Sequence, residues 1–192
     1  MFLEILLFLL DTVFSFFAFA LLARFAMQWA RAPFRNPIGQ FIIAVTDWMV
    51  RPARRVIPSA WGHDLPSLVL AWLIQGMYLG IAYGLTLGIN ATLHASGVVA
   101  LLAVVEVLKL ACRLAFGVLI VSIIFSWVNP YAPLAPLFNT LAEPLLRPFR
   151  KLIPPIGGVD LSPMAPLLLI QVLQMLLAAL RGALLPGLLP GF

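Results

Sequence analysis

Charged residues are scarce in this chain. Lysine and arginine number 12 and aspartate and glutamate 7 among 192 residues, so charged residues make up 10% of the sequence and hydrophobic residues 63%. This composition supplies too few polar side chains to cover a surface that faces water. The sequence therefore predicts an integral membrane protein, with lipid as the solvent for much of its surface.

Cysteine and histidine are almost absent as well. Cys112, the single cysteine, lies in an apolar segment, which excludes an intrachain disulfide and a cysteine-based metal site. We expect His63 and His94 to be interfacial or loop histidines, because they lie outside the main apolar segments. The sequence contains no nucleophile elbow, glycine-rich phosphate loop, HExxH or CxxCH motif. We therefore predict no enzyme, no catalytic residue, no metal and no cofactor.

Four apolar segments are long enough to cross a hydrocarbon layer of about 30 Å. They cover roughly residues 2–29, 66–89, 98–127 and 164–185. Long polar, proline-containing stretches join the first segment to the second and the third to the fourth, whereas a short turn over 90–97 joins the middle two. The predicted fold is an all-α membrane protein with four transmembrane helices. The beginning of the chain, MFLEILLFLLDTVF, lacks a basic region, so we expect no cleaved signal peptide.

One basic string occurs twice. RPARRVIPSAWGHDL at 51–65 returns as RPFRKLIPPIGGVDL at 147–161, an offset of 96. We therefore predict two repeats, 1–96 and 97–192, each with two spans joined by a basic amphipathic interfacial segment. An even number of spans separates the copies, so the repeats should be parallel and related by a pseudo-two-fold axis along the membrane normal.

The basic residues of these segments indicate orientation and partners. The turn over 90–97 has no lysine or arginine, so the positive-inside rule places both basic segments in the cytoplasm and both termini in the periplasm. From Ile38 to Arg51 the apolar residues recur at helical spacing, which predicts an amphipathic helix in the headgroup region, with Trp48 as its anchor. Pro144 should bend or shorten the corresponding helix of the second half. We expect anionic lipid or a partner protein, but no nucleic acid, to contact six residues: Arg51, Arg54, Arg55, Arg147, Arg150 and Lys151.

Turn residues follow each basic segment. Gly62 and Gly158 should allow tight turns, and Asp64 and Asp160 should cap the next span or pair with the nearby arginines.

Intramembrane charge is the second candidate site, because an ionised side chain at mid-bilayer costs roughly 3 kcal/mol. Aligning the halves on Trp29 and Trp127 places Asp11 opposite Lys109, which predicts an ion pair between them. Such charges either neutralise one another and hold the halves together, or line a path for an ion or proton. The predicted network consists of Asp11, Glu106, Lys109 and Arg113.

Glycine occurs at every fourth position of the second span. A flat ridge of this kind allows close helix packing, either within one chain or between chains. The ridge consists of Gly76, Gly80, Gly84 and Gly88.

Two groups of strings resemble the YggT family of bacterial membrane proteins, which includes the YlmG proteins. They are LLARFAMQWARAPFRNPIGQFIIAVT with RPARRVIP, and LAEPLLRPFRKLIPPIGGVDLSPM with the closing LLPG. The resemblance covers nearly the whole chain, is nearest to the proteobacterial branch and implies a bacterial inner-membrane protein with two family units. It also implies roles in osmotic or potassium-related stress tolerance, in cell division or nucleoid distribution, or, in plastids, in haem attachment.

The prediction for function combines the residues with this resemblance. We expect a non-enzymatic inner-membrane protein that supports osmotic-stress adaptation or the assembly of membrane complexes through its basic cytoplasmic segments. The alternative is a homo-oligomeric ion channel or transporter subunit that uses Glu106, Lys109 and Arg113.

Overall fold

The computed structural model describes residues 1–57, 64–151 and 162–188, and within these ranges all regular secondary structure is helical and no strand occurs. In chain order the helices are α1 (Phe2–Trp29), α2 (Pro37–Val56), α3 (Leu65–Leu87), α4 (Ile89–His94), α5 (Ser96–Val128), α6 (Ala135–Arg150) and α7 (Met164–Leu184), followed by a 3₁₀ turn (Leu185–Leu188). The helices α1, α3, α5 and α7 are long and apolar enough to cross a membrane, which confirms the four predicted segments.

The longest helix, α5, lies at the centre of the packing. It contacts α1, α3, α6 and α7, and it buries Leu102, Leu110 and Leu119 along its length. Many apolar side chains on the outer faces of the spans stay exposed, among them Leu168 and Leu176 of α7. A large exposed apolar surface of this kind is typical of helices that face lipid.

The sharp end of α1 turns the chain towards α2. The N–H of Ala32 donates to the carbonyl of Met27 at 2.8 Å, and the N–H of Arg31 donates to that of Gln28 at 3.1 Å. This is the hydrogen-bond pattern of a Schellman motif. Arg31 adopts the left-handed backbone that the motif requires, with φ of 55°.

An asparagine begins α2. The side-chain oxygen of Asn36 accepts a hydrogen bond from the N–H of Gly39 at 2.8 Å, and Pro37 occupies the first helical position. Glycine is required at position 39, because a Cβ there would lie 2.7 Å from the backbone oxygen of Phe34. The cap and this close approach place α2 directly against the end of α1.

Prolines interrupt neither amphipathic helix. Pro52 lies inside α2, and Pro144 and Pro148 lie inside α6, which continues to Arg150. Pro144 therefore does not end its helix. Because each proline removes only one backbone N–H, the helix can continue when the remaining turns are stabilised by packing, as at the buried Leu146 of α6.

The connection between the middle spans differs from the predicted turn. The second span ends at Leu87, because Gly88 has φ of 93°, and a short helix, α4, occupies most of the region expected to be irregular. The order of spanning, amphipathic and spanning helix occurs twice, as α1–α2–α3 and α5–α6–α7. The two repeats and their symmetry axis stay predictions.

Candidate functional site

The six predicted contact residues lie in the last turns of α2 and α6 or directly after them, and all six are exposed. Arg51 is the most exposed of the ion-paired arginines on α2, with 80% of its side chain accessible. Basic groups at a helix C-terminus interact favourably with the carbonyl end of the helix dipole. Both helices therefore end in a positively charged surface.

An apolar surface adjoins these charges on α2. Phe41 and Trp48 are exposed, and their rings lie 6.4 Å from that of Phe16 and 6.1 Å from that of Phe17, respectively. Phe16 is itself exposed on α1. The apolar face of α2 is therefore continuous with the outer surface of a spanning helix, an arrangement typical of helices that lie in a membrane interface.

A buried arginine joins α1 to α2 and α3. Nη1 of Arg24 donates to Thr46 and to Asp47, each at 2.9 Å, and Nε of Arg24 lies 3.4 Å from a carboxylate oxygen of Asp64. The side chain of Arg24 is only 7% exposed and that of Asp64 is fully buried. Sequence reasoning missed this contact because nothing along the chain indicates which carboxylate Arg24 reaches.

Asp64 collects several donors. Arg54 lies 3.1 Å from one of its oxygens, and the hydroxyl of Ser67 donates to the same oxygen at 2.7 Å. The prediction that Asp64 would either cap α3 or pair with arginine resolves in favour of pairing, because its carboxylate caps no backbone N–H. Gly62, Gly158 and Asp160 lie outside the described residues.

The second carboxylate of this cluster, Asp47, also bridges two arginines. It accepts from Arg24 and lies 2.7 Å from Nη2 of Arg51. Burial raises the pKa of Asp47, but the hydrogen bonds and positive charges of the two arginines outweigh burial and lower its pKa below the ordinary value of 3.8. Asp47 is therefore held in its ionised form.

The corresponding region of the second half has different polar contacts. Ser122 of α5 donates to Asn139 of α6 at 2.8 Å, and Glu143 pairs with Arg150 at 2.7 Å and, more distantly, with Arg147 at 3.8 Å. A polar cavity of about 190 Å³ is lined by four of these side chains, Ser122, Asn139, Glu143 and Arg150.

A second polar cavity, of about 210 Å³, lies where all four spans meet. Glu106 binds Lys109 at 3.1 Å and Arg181 of α7 at 3.0 Å. The predicted ion pair between Asp11 and Lys109 is not formed, because the ammonium group is taken by the carboxylate one turn away on its own helix. Asp11 and Arg113 line the same cavity, so the structure brings all four predicted network residues together. Sequence reasoning missed Arg181, although it is the one charged residue of the fourth span.

The glycine ridge contacts another helix at one position. A Cβ on Gly76 would lie 3.7 Å from Ala103 of α5, whereas Gly80 and Gly84 have no neighbour within 4 Å in the described part of the chain. Gly88 lies beyond the end of α3 and does not belong to the ridge. Close packing of the whole ridge within the described chain is therefore not observed.

Four spanning helices, with an amphipathic helix inserted after the first and the third, define a multi-pass α-helical membrane protein. Residues 3–84 and 101–181 match the family model described as CCB3/YggT. The chain belongs to this family, which confirms the resemblance seen in its sequence.

The relatives cover almost the full length of the chain. An uncharacterised protein of Pseudomonas aeruginosa is 41% identical over 91% of both chains. The uncharacterised protein YggT of Escherichia coli K12 is 37% identical over 94% of this chain and 95% of its own, and a Vibrio alginolyticus protein is 32% identical over 91% and 94%. No solved structure matches this chain.

Proposed function

We propose that this chain is a non-enzymatic protein of the bacterial inner membrane that binds anionic lipids of the cytoplasmic leaflet through the basic ends of α2 and α6. The observation that carries the proposal is the position of the six basic residues, which are exposed at the ends of two amphipathic helices. In cells, this contact would support osmotic-stress adaptation or the assembly of a membrane complex.

The apolar surface beside the charges supports lipid as the ligand. Phe41 and Trp48 are exposed next to the outer face of α1, so α2 would insert them among acyl chains while Arg51 and Arg55 stay at headgroup depth. Each basic residue near an anionic leaflet contributes on the order of 1 kcal/mol, and salt screens this attraction.

The test removes bases that the fold does not need. Arg54 and Arg150 form close ion pairs with Asp64 and Glu143, so they are left unchanged. Arg51 and Arg147 are highly exposed. Arg55 and Lys151 have no ion-pair partner in the described part of the chain. The variant therefore carries glutamine at four positions: Arg51, Arg55, Arg147 and Lys151. It should retain phosphatidylglycerol less strongly than the wild type by on the order of 4 kcal/mol at low salt, as counted by native mass spectrometry of protein released from nanodiscs.

A charge-conserving variant is the matched control. Lysine at Arg51, Arg55 and Arg147 keeps the charge and should keep the lipid. Undiminished retention of phosphatidylglycerol by the correctly inserted glutamine variant would refute the proposal. Loss of retention in the lysine variant would instead indicate that phosphatidylglycerol is recognised through the guanidinium groups and not through charge alone.

The cavity between the four spans favours ion transport as a second candidate function. Five charged residues of three helices line it, in a region where unpaired charge is expensive. Glu106→Gln should abolish cation or proton flux in proteoliposomes if this cavity conducts. Glu4→Gln, which alters an exposed carboxylate at the start of α1, should leave the flux unchanged. Wild-type liposomes without flux would exclude this candidate.

A further inference from the structure

The polar cavity of the second half lies between α5, α6 and the residue that precedes α7. Its lining carries both signs of charge, with Glu143 and Arg150 facing it beside Ser122, Ser126 and Asn139. We propose that this cavity binds the zwitterionic headgroup of an aminophospholipid, with the ammonium group against Glu143 and the phosphate against Arg150. The inference goes beyond the proposed function, which concerns exposed bases and anionic lipid.

The first half shows which group occupies the corresponding place there. Trp127 follows Trp29 by 98 positions, and the same offset relates Ser122 to Arg24. The guanidinium group of Arg24 fills the space between α1 and α2 and lies 2.9 Å from the carboxylate of Asp47. This part of the fold accommodates an organic cation that donates hydrogen bonds to the amphipathic helix.

The second half keeps the carboxylate but has a serine where the first half has Arg24. Glu143 follows Asp47 at the offset of 96 and lines the cavity. Ser122 is buried, carries no charge and donates its hydrogen bond to Asn139. The space taken by a guanidinium group in the first half is thus left as a cavity, and the nitrogen cation of a ligand could approach Glu143 from the side that Arg24 occupies at Asp47.

Arg150 determines what else the ligand must carry. Its Nη1 lies 2.7 Å from Oε2 of Glu143, so Arg150 would repel a simple cation and Glu143 would repel a simple anion. Phosphoethanolamine carries an ammonium group and a phosphate group and complements both side chains. Hydrogen bonds between ionised partners of this kind are the stronger class in proteins.

The position of the cavity favours a lipid as the source of this headgroup. Ser126 and Trp127 line it in the last turn of α5, and Trp127 is 70% exposed. Tryptophan is enriched at the membrane–water interface, where headgroups lie. A phospholipid reaches such a site by diffusing within its own leaflet, whereas the arginine of a partner protein would require a second docking surface.

The test compares two lipids that differ at the nitrogen. Purified protein is titrated with phosphatidylethanolamine or phosphatidylcholine of identical acyl chains, and bound lipid is counted by native mass spectrometry. The wild type should retain phosphatidylethanolamine at least about tenfold more strongly, because methylation removes the hydrogen bonds that the ammonium donates to a carboxylate. Ser122→Arg should abolish this preference by filling the cavity as Arg24 fills its counterpart. Glu143→Gln should reduce it with little change in side-chain size.

Ser96→Arg is the matched control, because it adds the same charge at the exposed other end of α5 and should keep the preference. Retention of phosphatidylglycerol is measured on the same samples. Ser122→Arg removes none of the exposed basic residues, so it should keep phosphatidylglycerol, and this readout separates the inference from the proposed function. Equal retention of the two lipids by the wild type, or an unchanged preference in folded Ser122→Arg, would overturn the inference. If Ser122→Arg does not fold, an unchanged preference in Glu143→Gln overturns it.

Two further results would assign the cavity to another ligand and refute the inference that a phospholipid occupies it. The first is displacement of bound phosphatidylethanolamine by micromolar soluble phosphoethanolamine. The second is a crosslink in native membranes between the cavity and the arginine of a partner protein.

Discussion

Replacing Arg24 by methionine tests the cluster that joins the first three helices. Methionine keeps most of the apolar stem and removes the guanidinium group, which contacts Thr46, Asp47 and Asp64. The side chain of Asp64 is fully buried, and among the described residues it would keep only Arg54, whose side chain is 42% exposed, and Ser67. The substitution therefore leaves a buried carboxylate with too little compensating charge.

The expected magnitude follows from this burial. Removing one partner of a buried ion pair typically costs about 3–5 kcal/mol, because the other charge stays buried without compensation. Arg51→Met is the matched control: it removes the same type of side chain from the same Asp47, but Arg51 is 80% exposed. Exposed pairs of this kind contribute less than about 1 kcal/mol. The two variants should therefore differ by at least about 2 kcal/mol in free energy of unfolding.

Reversible unfolding in mixed micelles, with denaturing detergent as the variable, measures this difference. Adding Asp64→Asn to Arg24→Met should recover part of the lost stability, because the amide needs no cation beside it. Equal free energies of unfolding for Arg24→Met and Arg51→Met would refute the reasoning. So would a double variant that is less stable than Arg24→Met by the full effect of Asp64→Asn alone.

Two other predictions concern residues of α2, with a control residue in α3. Gly39→Ala should lower the free energy of unfolding by roughly 1–3 kcal/mol in the same denaturing-detergent assay, because its Cβ would lie 2.7 Å from the backbone oxygen of Phe34. Gly80→Ala is the control and should change the free energy little, because a Cβ there meets nothing within 4 Å in the described chain. Because the pKa of Asp47 is lowered in the folded state, its stabilisation is present above its ordinary pKa of 3.8 and is lost as the pH falls through the lower folded value. Asp47→Asn should therefore reduce the loss of stability on acidification below about pH 4, and an unchanged pH profile would contradict this.

The spans and the amphipathic helices were predictable because each depends on a local pattern. Long apolar runs identified the four spans, and the spacing of Ile38, Trp48 and their neighbours identified α2. The partner of Arg24 was not predictable in this way. Its contacts with Asp47 and Asp64 depend on how α1, α2 and α3 pack, and two other arginines lie closer to those carboxylates along the chain.

The intramembrane network shows the same limit. Aligning the two halves placed Asp11 opposite Lys109, and in the structure both side chains line one cavity together with Glu106. Which carboxylate pairs with Lys109 depends on differences of a few ångströms between side chains in the folded structure. Lys109 and Glu106, one turn apart on one helix, formed the pair that the alignment of the two halves had assigned to Asp11.

The distribution of ion pairs distinguishes the two cavities. In the described part of the chain, Glu106 and Glu143 each lie within ion-pair distance of two cations, whereas Asp11 lies within that distance of none. Asp11 and Arg113 face the cavity between the spans without pairing to each other, although they have opposite charges. Asp11 instead accepts a hydrogen bond from the hydroxyl of Ser15 at 3.4 Å, and both Asp11 and Arg113 are exposed. The cavity beside α6 differs, because its two charged lining residues, Glu143 and Arg150, are paired with each other at 2.7 Å.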